Sequence, residues 1–317
     1  MYKKILLSGV KPTGRPHIGN YFGAMKQFVD MQDDYQCLFM LADYHALNFI
    51  QDDAEMKQGI LDLALDYLAL GLDPQKSIIF KQSDVLEHTE LTWIFDTITT
   101  MPYLERAHAY KDAEAKDKEI SVGTFNYPML MASDILIYDT DVVPVGQDQK
   151  QHVEYTRDTA QKFNHTFSKE VFKLPEPKIL DEVAIVPGTD GRKMSKSYGN
   201  TIPLFATDEE IEKAVMSIVT DSGSDIPQNV YAIHRLLKSE DELKDLYEAN
   251  KGKYKALKDA LIADLKNFIG PLRDKREQLQ NDMDYVMDVL KEGGKKARSK
   301  AEKKMDEVRE VIGVKLY

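Results

Sequence analysis

Two short stretches carry residue types able to handle a phosphate-rich ligand. The first is SGVKPTGRPHIGNYFGA, from Ser8 to Ala24. It follows an apolar segment and runs straight into helix-compatible sequence. Gly14 and Gly19 let the backbone approach a ligand closely. His17 and Asn20 would present two polar side chains within one helical turn. A helix opening at this point offers free N–H groups and the positive end of its dipole, both of which favour phosphate. The same composition would also serve a plain strand-to-helix turn. The G-x-G-x-x-G fingerprint is missing, which argues against a nicotinamide or flavin cofactor.

The second stretch is PGTDGRKMSKSYGN, from Pro187 to Asn200. Lys193 and Lys196 flank Met194 and Ser195, and glycines stand on both sides. Two lysines on a hinged loop suit a polyanion whose charge develops during a reaction. Most charged loops are solvated surface, so the lysine pair alone decides nothing. A third candidate lies between the two. Tyr127, Met131, Asp134 and Tyr138 recur at helical spacing and share one face. An aspartate inside LMASDILIY is costly to bury without a donor. Its partner is either structural or a ligand, and a tyrosine hydroxyl would satisfy it as well as an indole N–H would.

The elements that must position these residues follow from the pattern. Ile5–Gly9, residues 37–43, 77–80, 141–146 and the start of 182–191 read as strands. Tyr21–Met31, Asp52–Leu70, Asp84–Thr100, Thr124–Tyr138 and Gln147–Asn164 read as helices. Gly71 and Pro74 should stop the second helix. Ser83 or Asp84 with Glu87 should form a capping box for the third. Lys111–Glu119 reads as a charged loop. Strands alternating with helices imply a parallel sheet, with ligands at the carboxyl ends of its strands. From Asp208 onward the chain reads as amphipathic helix. The predicted fold is therefore α/β: a Rossmann-like parallel-sheet domain over 1–200 followed by an all-helical domain over 201–290, with a last helix at 290–317. No internal repeat is evident.

Composition sets limits on this. A chain of 317 residues with 43% hydrophobic content can build a sizeable core. Its net charge of −11 excludes binding nucleic acid through overall charge, so any such contact needs a local basic face. Lys291, Lys295, Lys296, Arg298, Lys300, Lys303 and Lys304 form one candidate, either a binding face or a solvated one. The apolar positions Met305, Val308, Val311 and Ile312 follow them, so one face should pack while the lysines point outward. The lone cysteine, Cys37, excludes a disulfide framework and a cysteine-rich metal site. No apolar run nears the ~18 residues of a membrane span. The expected compartment is the cytoplasm.

Together, P-x-G-x-x-H-I-G-N and K-M-S-K-S resemble the signature pair of the class I aminoacyl-tRNA synthetases. The intervening FNYPMLMASDILIYDTDVVPVGQDQKQHVEYTRDTAQKFN resembles the tryptophan branch of that family, and the likeness covers nearly the whole chain. Asn20 stands where histidine is more common, but it still donates a hydrogen bond. The resemblance implies catalytic roles for His17, Asn20, Lys193 and Lys196. It implies ATP contacts from Lys11, Pro12, Thr13, Gly19, Asn20, Gly146, Gln147, Asp148, Ala184, Lys193, Met194, Ser195, Lys196 and Ser197. Asp148 would suit the ribose hydroxyls, although an N-cap role fits its spacing equally. Asp134 would accept the indole N–H of tryptophan and Met131 would pack on the ring, with Tyr127, His45 and Gln149 completing the pocket and His152 nearby. The same resemblance implies ATP with Mg²⁺ as a substrate complex, no structural metal, L-tryptophan and tRNA(Trp) as partners, and a homodimer. The choice of tryptophan over tyrosine rests on the resemblance, not on the chemistry of the aspartate.

Overall fold

The computed structural model describes residues 3–107, 110–111, 114, 119–146, 150–179, 186–220 and 225–317. Five strands form one parallel sheet in the order β3-β2-β1-β4-β5. They are β1 (Ile5–Val10), β2 (Gln36–Leu41), β3 (Ser77–Lys81), β4 (Val142–Val145) and β5 (Glu176–Ile179). β1 to β3 spread in one direction, and the chain then returns to lay β4 on the other side of β1. This reversal makes a switch point between β1 and β4, where a parallel sheet opens a crevice beyond its strand ends. The segments after β1 and after β4 carry Lys11–Thr13 and Gly146.

Helices cover both faces. Ile18–Asn20 (α1) continues through a π-helical stretch, Tyr21–Met25, into Lys26–Met31 (α2). A short helix, Asp43–Ala46 (α3), follows β2. Asp53–Leu70 (α4) begins at an Asp52 cap and ends at Gly71 as its sequence demands. Glu87–Ile98 (α5) and Met101–Leu104 (α6) precede Val122–Leu136 (α7), and Lys150–Phe167 (α8) leads to β5. Beyond residue 200 the described chain is helical: Asp208–Met216 (α9), Gln228–His234 (α10), Glu240–Ala249 (α11), Tyr254–Gln280 (α12) and Met283–Val311 (α13).

Several local expectations need correction. The helix expected from Asp84 starts at Glu87, and no capping box forms there. Gln82–Asp84 is instead a 3₁₀ turn, Asp84 pairs with Lys81 at 2.8 Å, and Glu87 is buried against Arg298 of α13. At its other end that helix stops at Ile98, because Thr99 and Thr100 are extended, and Met101–Leu104 forms a separate short helix. The fifth strand is EPKI, not the segment expected at 182–191. Of that segment, 182–185 lie outside the described residues, and Val186 and Pro187 lead into the lysine loop. The last helix begins at Met283. Gly293 is required where it crosses the sheet, because a Cβ there would overlap the Ile79 carbonyl of β3. Lys304 does not face outward with its neighbours. It is 8% exposed and binds Asp139, Glu307 and the Val171 carbonyl. An ammonium can be buried when its donors are matched in this way.

Two cores flank the sheet, and a third matters most for the site. Ile18, Phe22 and Met25 of the first-motif helix join Met194, Ile202, Leu204, Ile211, Val215, Leu261 and Leu265 in one apolar cluster. The helix that carries the first motif is thus packed on the helical part of the chain. Backbone pairing reinforces this contact: Ile18 N–H donates to the Ile202 carbonyl and Leu204 N–H to the Pro16 carbonyl, each at 3.0 Å. Among the described residues no helix is long and apolar enough to cross a membrane.

Candidate active site

The two motifs meet across one cavity of about 1440 Å³ at the carboxyl end of β1. Lys11, Pro12, Thr13, His17, Gly19 and Asn20 line one wall, Lys193, Met194, Ser195 and Lys196 another, and Gly146 the end beyond β4. Lys196 bridges the walls, its Nζ donating to the Thr13 carbonyl at 2.7 Å. Gly14, at φ +64°, turns the chain so that this contact can form; a Cβ there would lie 3.5 Å from the ammonium and in strained backbone. Gln147, Asp148, Gln149 and Ala184 lie outside the described residues. Ser197 is not on the cavity wall; its hydroxyl pairs with that of Ser195 at 2.9 Å. Met194 touches the cavity but is 4% exposed, and its side chain anchors the lysine loop in the apolar cluster beneath Gly19.

His17 and Asn20 cap their own helix reciprocally. The Asn20 amide N–H donates to His17 Nδ1 at 3.3 Å, and the His17 N–H donates to Asn20 Oδ1 at 3.1 Å. The helix start therefore offers fewer free amides than expected, since those of Ile18 and Asn20 are used. What it offers instead are side-chain donors. With Nδ1 accepting, the neutral imidazole carries its proton on Nε2, and Asn20 keeps its Nδ2 hydrogens. Burial and the nearby Lys196 charge push the His17 pKa down to about 4, so the ring is neutral at physiological pH. The ordinary value is 6.5. As pH falls from 6.5 toward 4, the unfolded chain takes up a proton that the fold refuses, and stability should drop across that window. His17→Asn keeps a capping acceptor but not the titration, so urea midpoints should fall less steeply between pH 6.5 and 4. An identical pH dependence in the two proteins would contradict this.

The charge around the cavity is opposite in sign to that of the whole chain. Lys11 sits with its ammonium 4.3 Å over the Phe49 ring, and burial lowers its pKa. The wall carboxylates are both answered by one arginine, and the wall's Arg15 is held by a glutamate outside it. Arg276 of α12 reaches Asp66 at 2.7 Å and Asp62 at 2.5 Å, both on α4. Burial raises Asp66 to about 6 even with Arg276 opposing it. Arg15 reaches Glu210 at 2.9 Å and the Phe205 carbonyl at 2.7 Å. Lys11, Lys193 and Lys196 are left to set the local field, which suits a polyanion. No three His, Cys, Asp or Glu side chains among the described residues gather in a metal-holding group.

The third candidate cluster lies elsewhere. Asp134 is 1% exposed and is not on the wall of this cavity. His45 Nε2 lies 2.8 Å from its Oδ2, and Gln82 Nε2 donates to both oxygens at 2.8 and 3.0 Å. His88 Nδ1 lies 2.8 Å from Oδ1, at ion-pair distance but off the line of a good hydrogen bond. Burial opposes ionisation of Asp134, but His88 and His45 outweigh it and hold the carboxyl below its usual range. Tyr127 packs edge-on against His45 and His152, at centroid distances of 4.7 and 5.4 Å. Burial, then the Asp134 charge, pushes the Tyr127 phenol up to about 12. Met131 is half-buried against the same core. Sequence reasoning missed Gln82, His88, Arg15, Arg276 and Asn200. Asn200 ties the lysine loop together by accepting from Ser195 N–H at 2.8 Å and donating to Asp190 and the Lys193 carbonyl.

Residues 3–283 match the family model for class I tRNA synthetases (W and Y). A tryptophan–tRNA ligase from Fusobacterium nucleatum is 52% identical over 316 residues, which span 97% of each chain. One from Rhodopirellula baltica is 45% identical, across 98% of this chain and 99% of its own. Among solved structures, a tryptophanyl-tRNA synthetase from Campylobacter jejuni complexed with ADP and tryptophan superposes with a TM-score of 0.92. It is 44% identical, covering 98% of this chain and 99% of that one.

Proposed function

The chain belongs to the class I tRNA synthetases for tryptophan and tyrosine, and we infer from that premise how its residues divide the work. The enzyme is a ligase for tryptophan and tRNA. It activates L-tryptophan with ATP to tryptophanyl-adenylate and transfers the amino acid to the 3′ end of tRNA(Trp). In the first step the tryptophan carboxylate attacks the α-phosphate and pyrophosphate leaves. The nucleophile is already ionised, so no general base is needed, and catalysis is positioning plus electrostatic stabilisation. His17 Nε2–H and Asn20 Nδ2–H donate to the phosphates, and Lys193 and Lys196 answer their growing charge. Lys11, Pro12, Thr13, Gly19, Met194 and Ser195 hold ATP, with Ala184 also on ATP and Gly146, Gln147 and Asp148 toward its ribose and adenine; Ser197 supports Ser195 from outside the wall. Mg²⁺ would arrive with ATP, held by phosphate and water, since the wall carboxylates Asp62 and Asp66 are already taken up by Arg276. Asp134 accepts the indole N–H, and Met131, Tyr127, His45 and Gln149 surround the ring.

One observation carries the ATP assignment: the two motifs close on a single basic cavity, with Lys196 on the Thr13 carbonyl. The test is charging of tRNA(Trp) with labelled tryptophan. Charging with tyrosine in its place would overturn the assignment of substrate.

Residues 201–290 read the anticodon in this account, 1–200 form the catalytic domain, and the enzyme works in the cytoplasm as a homodimer. Leu86 and Trp93, two helical turns apart at α5, are 55% and 71% exposed, which supports an apolar self-association face. Light scattering at micromolar concentration should give the dimer mass, and a monomer mass would rule it out. The basic face of α13 supports a tRNA contact, though less of it is free than the sequence suggests. Lys295 pairs with Glu292 at 2.7 Å and Arg298 with Glu87 at 3.1 Å, while Lys296, Lys300 and Lys303 extend the charge. Replacing Lys295, Lys296 and Lys300 with glutamine should raise the KM for tRNA and leave adenylate formation unchanged. Each lost phosphate contact should lower the magnitude of the log–log salt slope by roughly 0.7–0.9. An unchanged slope would make this a solubilising face.

A further inference from the structure

We propose that His88, locked by Tyr138, is a positioning residue for amino-acid selection: it holds the Asp134 carboxylate in one orientation, so that a substrate N–H meets a fixed oxygen. The inference rests on the reading that Asp134 accepts the indole N–H. A carboxylate has about four acceptor positions on its two oxygens. Here Oδ1 faces His88 and Gln82, while Oδ2 faces His45 and the longer Gln82 contact. Gln82 shares one amide nitrogen between the two oxygens, so its longer 3.0 Å contact to Oδ2 is the one an incoming N–H donor can replace. Gln82 is itself oriented, since its Oε1 accepts the His45 amide N–H at 3.3 Å and turns its NH₂ toward Asp134.

His45 and His88 stand in different surroundings. His45 packs beside Tyr127, with the other proposed tryptophan contacts. His88 is fully buried behind the carboxylate, among Phe80 and Tyr138 at centroid distances of 6.4 and 5.5 Å. It is thus placed to act on a substrate through Asp134. Its tautomer is coupled to the hydroxyl of Tyr138. Burial, with the Asp134 and Glu87 charges, keeps the Tyr138 phenol protonated. The phenol oxygen lies 2.6 Å from His88 Nε2. When that hydroxyl donates to Nε2, the ring proton sits on Nδ1, 2.8 Å from Asp134 Oδ1, and acts on the carboxylate by charge attraction more than by a linear hydrogen bond. Thr92 holds the same helix turn, its hydroxyl donating to the His88 carbonyl at 2.7 Å and lying 3.0 Å from Ser133 Oγ. The chain Tyr138, His88, Asp134 thus runs from the core to the acceptor. Without it the carboxylate can rotate, and an N–H donor no longer meets a fixed oxygen.

The test compares tryptophan with an analogue whose indole N–H is replaced by sulfur, β-(3-benzothienyl)alanine, in amino-acid-dependent pyrophosphate exchange. A site built around a donor–acceptor contact rejects an analogue lacking the donor. The wild-type enzyme should therefore prefer tryptophan strongly in kcat/KM. In His88→Leu that preference should fall at least about 10-fold, the size seen when an outer partner that orients a binding group is lost, while the KM for ATP stays unchanged. His88→Asn, which keeps an N–H near the Nδ1 position, should retain more of the preference. Tyr138→Phe should fall between the two. If His88→Leu does not fold, the Asn and Tyr138→Phe variants decide. A folded His88 or Tyr138 variant with the full wild-type preference would overturn the proposal and leave His88 a core residue. A wild-type enzyme that takes both amino acids equally would instead sink the reading of Asp134, and this inference with it.

Discussion

Lys196→Ala should slow tryptophanyl-adenylate formation by about 10²–10³-fold, the usual cost of losing one preorganised donor to developing charge, and leave tryptophan affinity nearly intact. The reason lies in where the ammonium rests. It bonds the Thr13 carbonyl at the cavity mouth, and burial depresses its pKa against the opposing pull of Asp66. A cation resting on one neutral oxygen at the cavity wall has much to gain when phosphate charge builds beside it. Its loop is braced independently by Met194 in the core and Asn200 beneath it, so the truncation should remove the charge without collapsing the wall. Single-turnover measurement at saturating substrates separates the outcomes. A wild-type rate with collapsed tryptophan binding would make the loop a binding element and not a catalytic one.

Asp134→Ala should raise the KM for tryptophan by roughly 10- to 150-fold, equivalent to the ~1.5–3 kcal/mol of one hydrogen bond to a charged acceptor, with little change in the KM for ATP. It should also weaken the fold. His45, His88 and Gln82 all point at this carboxylate, and removing one side of a buried charged network typically costs about 3–5 kcal/mol. Asp134→Asn keeps the shape and one acceptor oxygen, so it should fold better while still losing tryptophan affinity. Equal increases in both KM values would assign Asp134 to structure alone.

The sequence made the first motif legible because its signals are local. A strand, a glycine-bearing turn and a helix start are set by neighbours in the chain, and His17 and Asn20 lie as close in sequence as in space. The same holds for α4, bounded by the Asp52 cap and Gly71. What escaped was decided at a distance. β5 is only four residues, EPKI, too short and too proline- and charge-rich to stand out as a strand, and it exists because β4 offers it a ladder. The capping box expected at Glu87 failed because Arg298, far along the chain, claims that carboxylate. Lys304 read as one more surface cation until Asp139 and the Val171 carbonyl surrounded it. At the site, Arg276 gave no signal on an amphipathic helix, and its role comes from Asp62 and Asp66 across the cavity. The helix-face argument found Asp134 but could not find Gln82 or His88, which other elements bring to it.

Amino-acid-dependent exchange of labelled pyrophosphate into ATP, run with each amino acid in turn, tests the central claim most directly. It needs no tRNA, and it reads the cavity between the two motifs together with the Asp134 cluster in one step. The account predicts exchange with tryptophan and none above background with tyrosine or phenylalanine. Exchange supported equally by tyrosine, or absent with every amino acid, would contradict it.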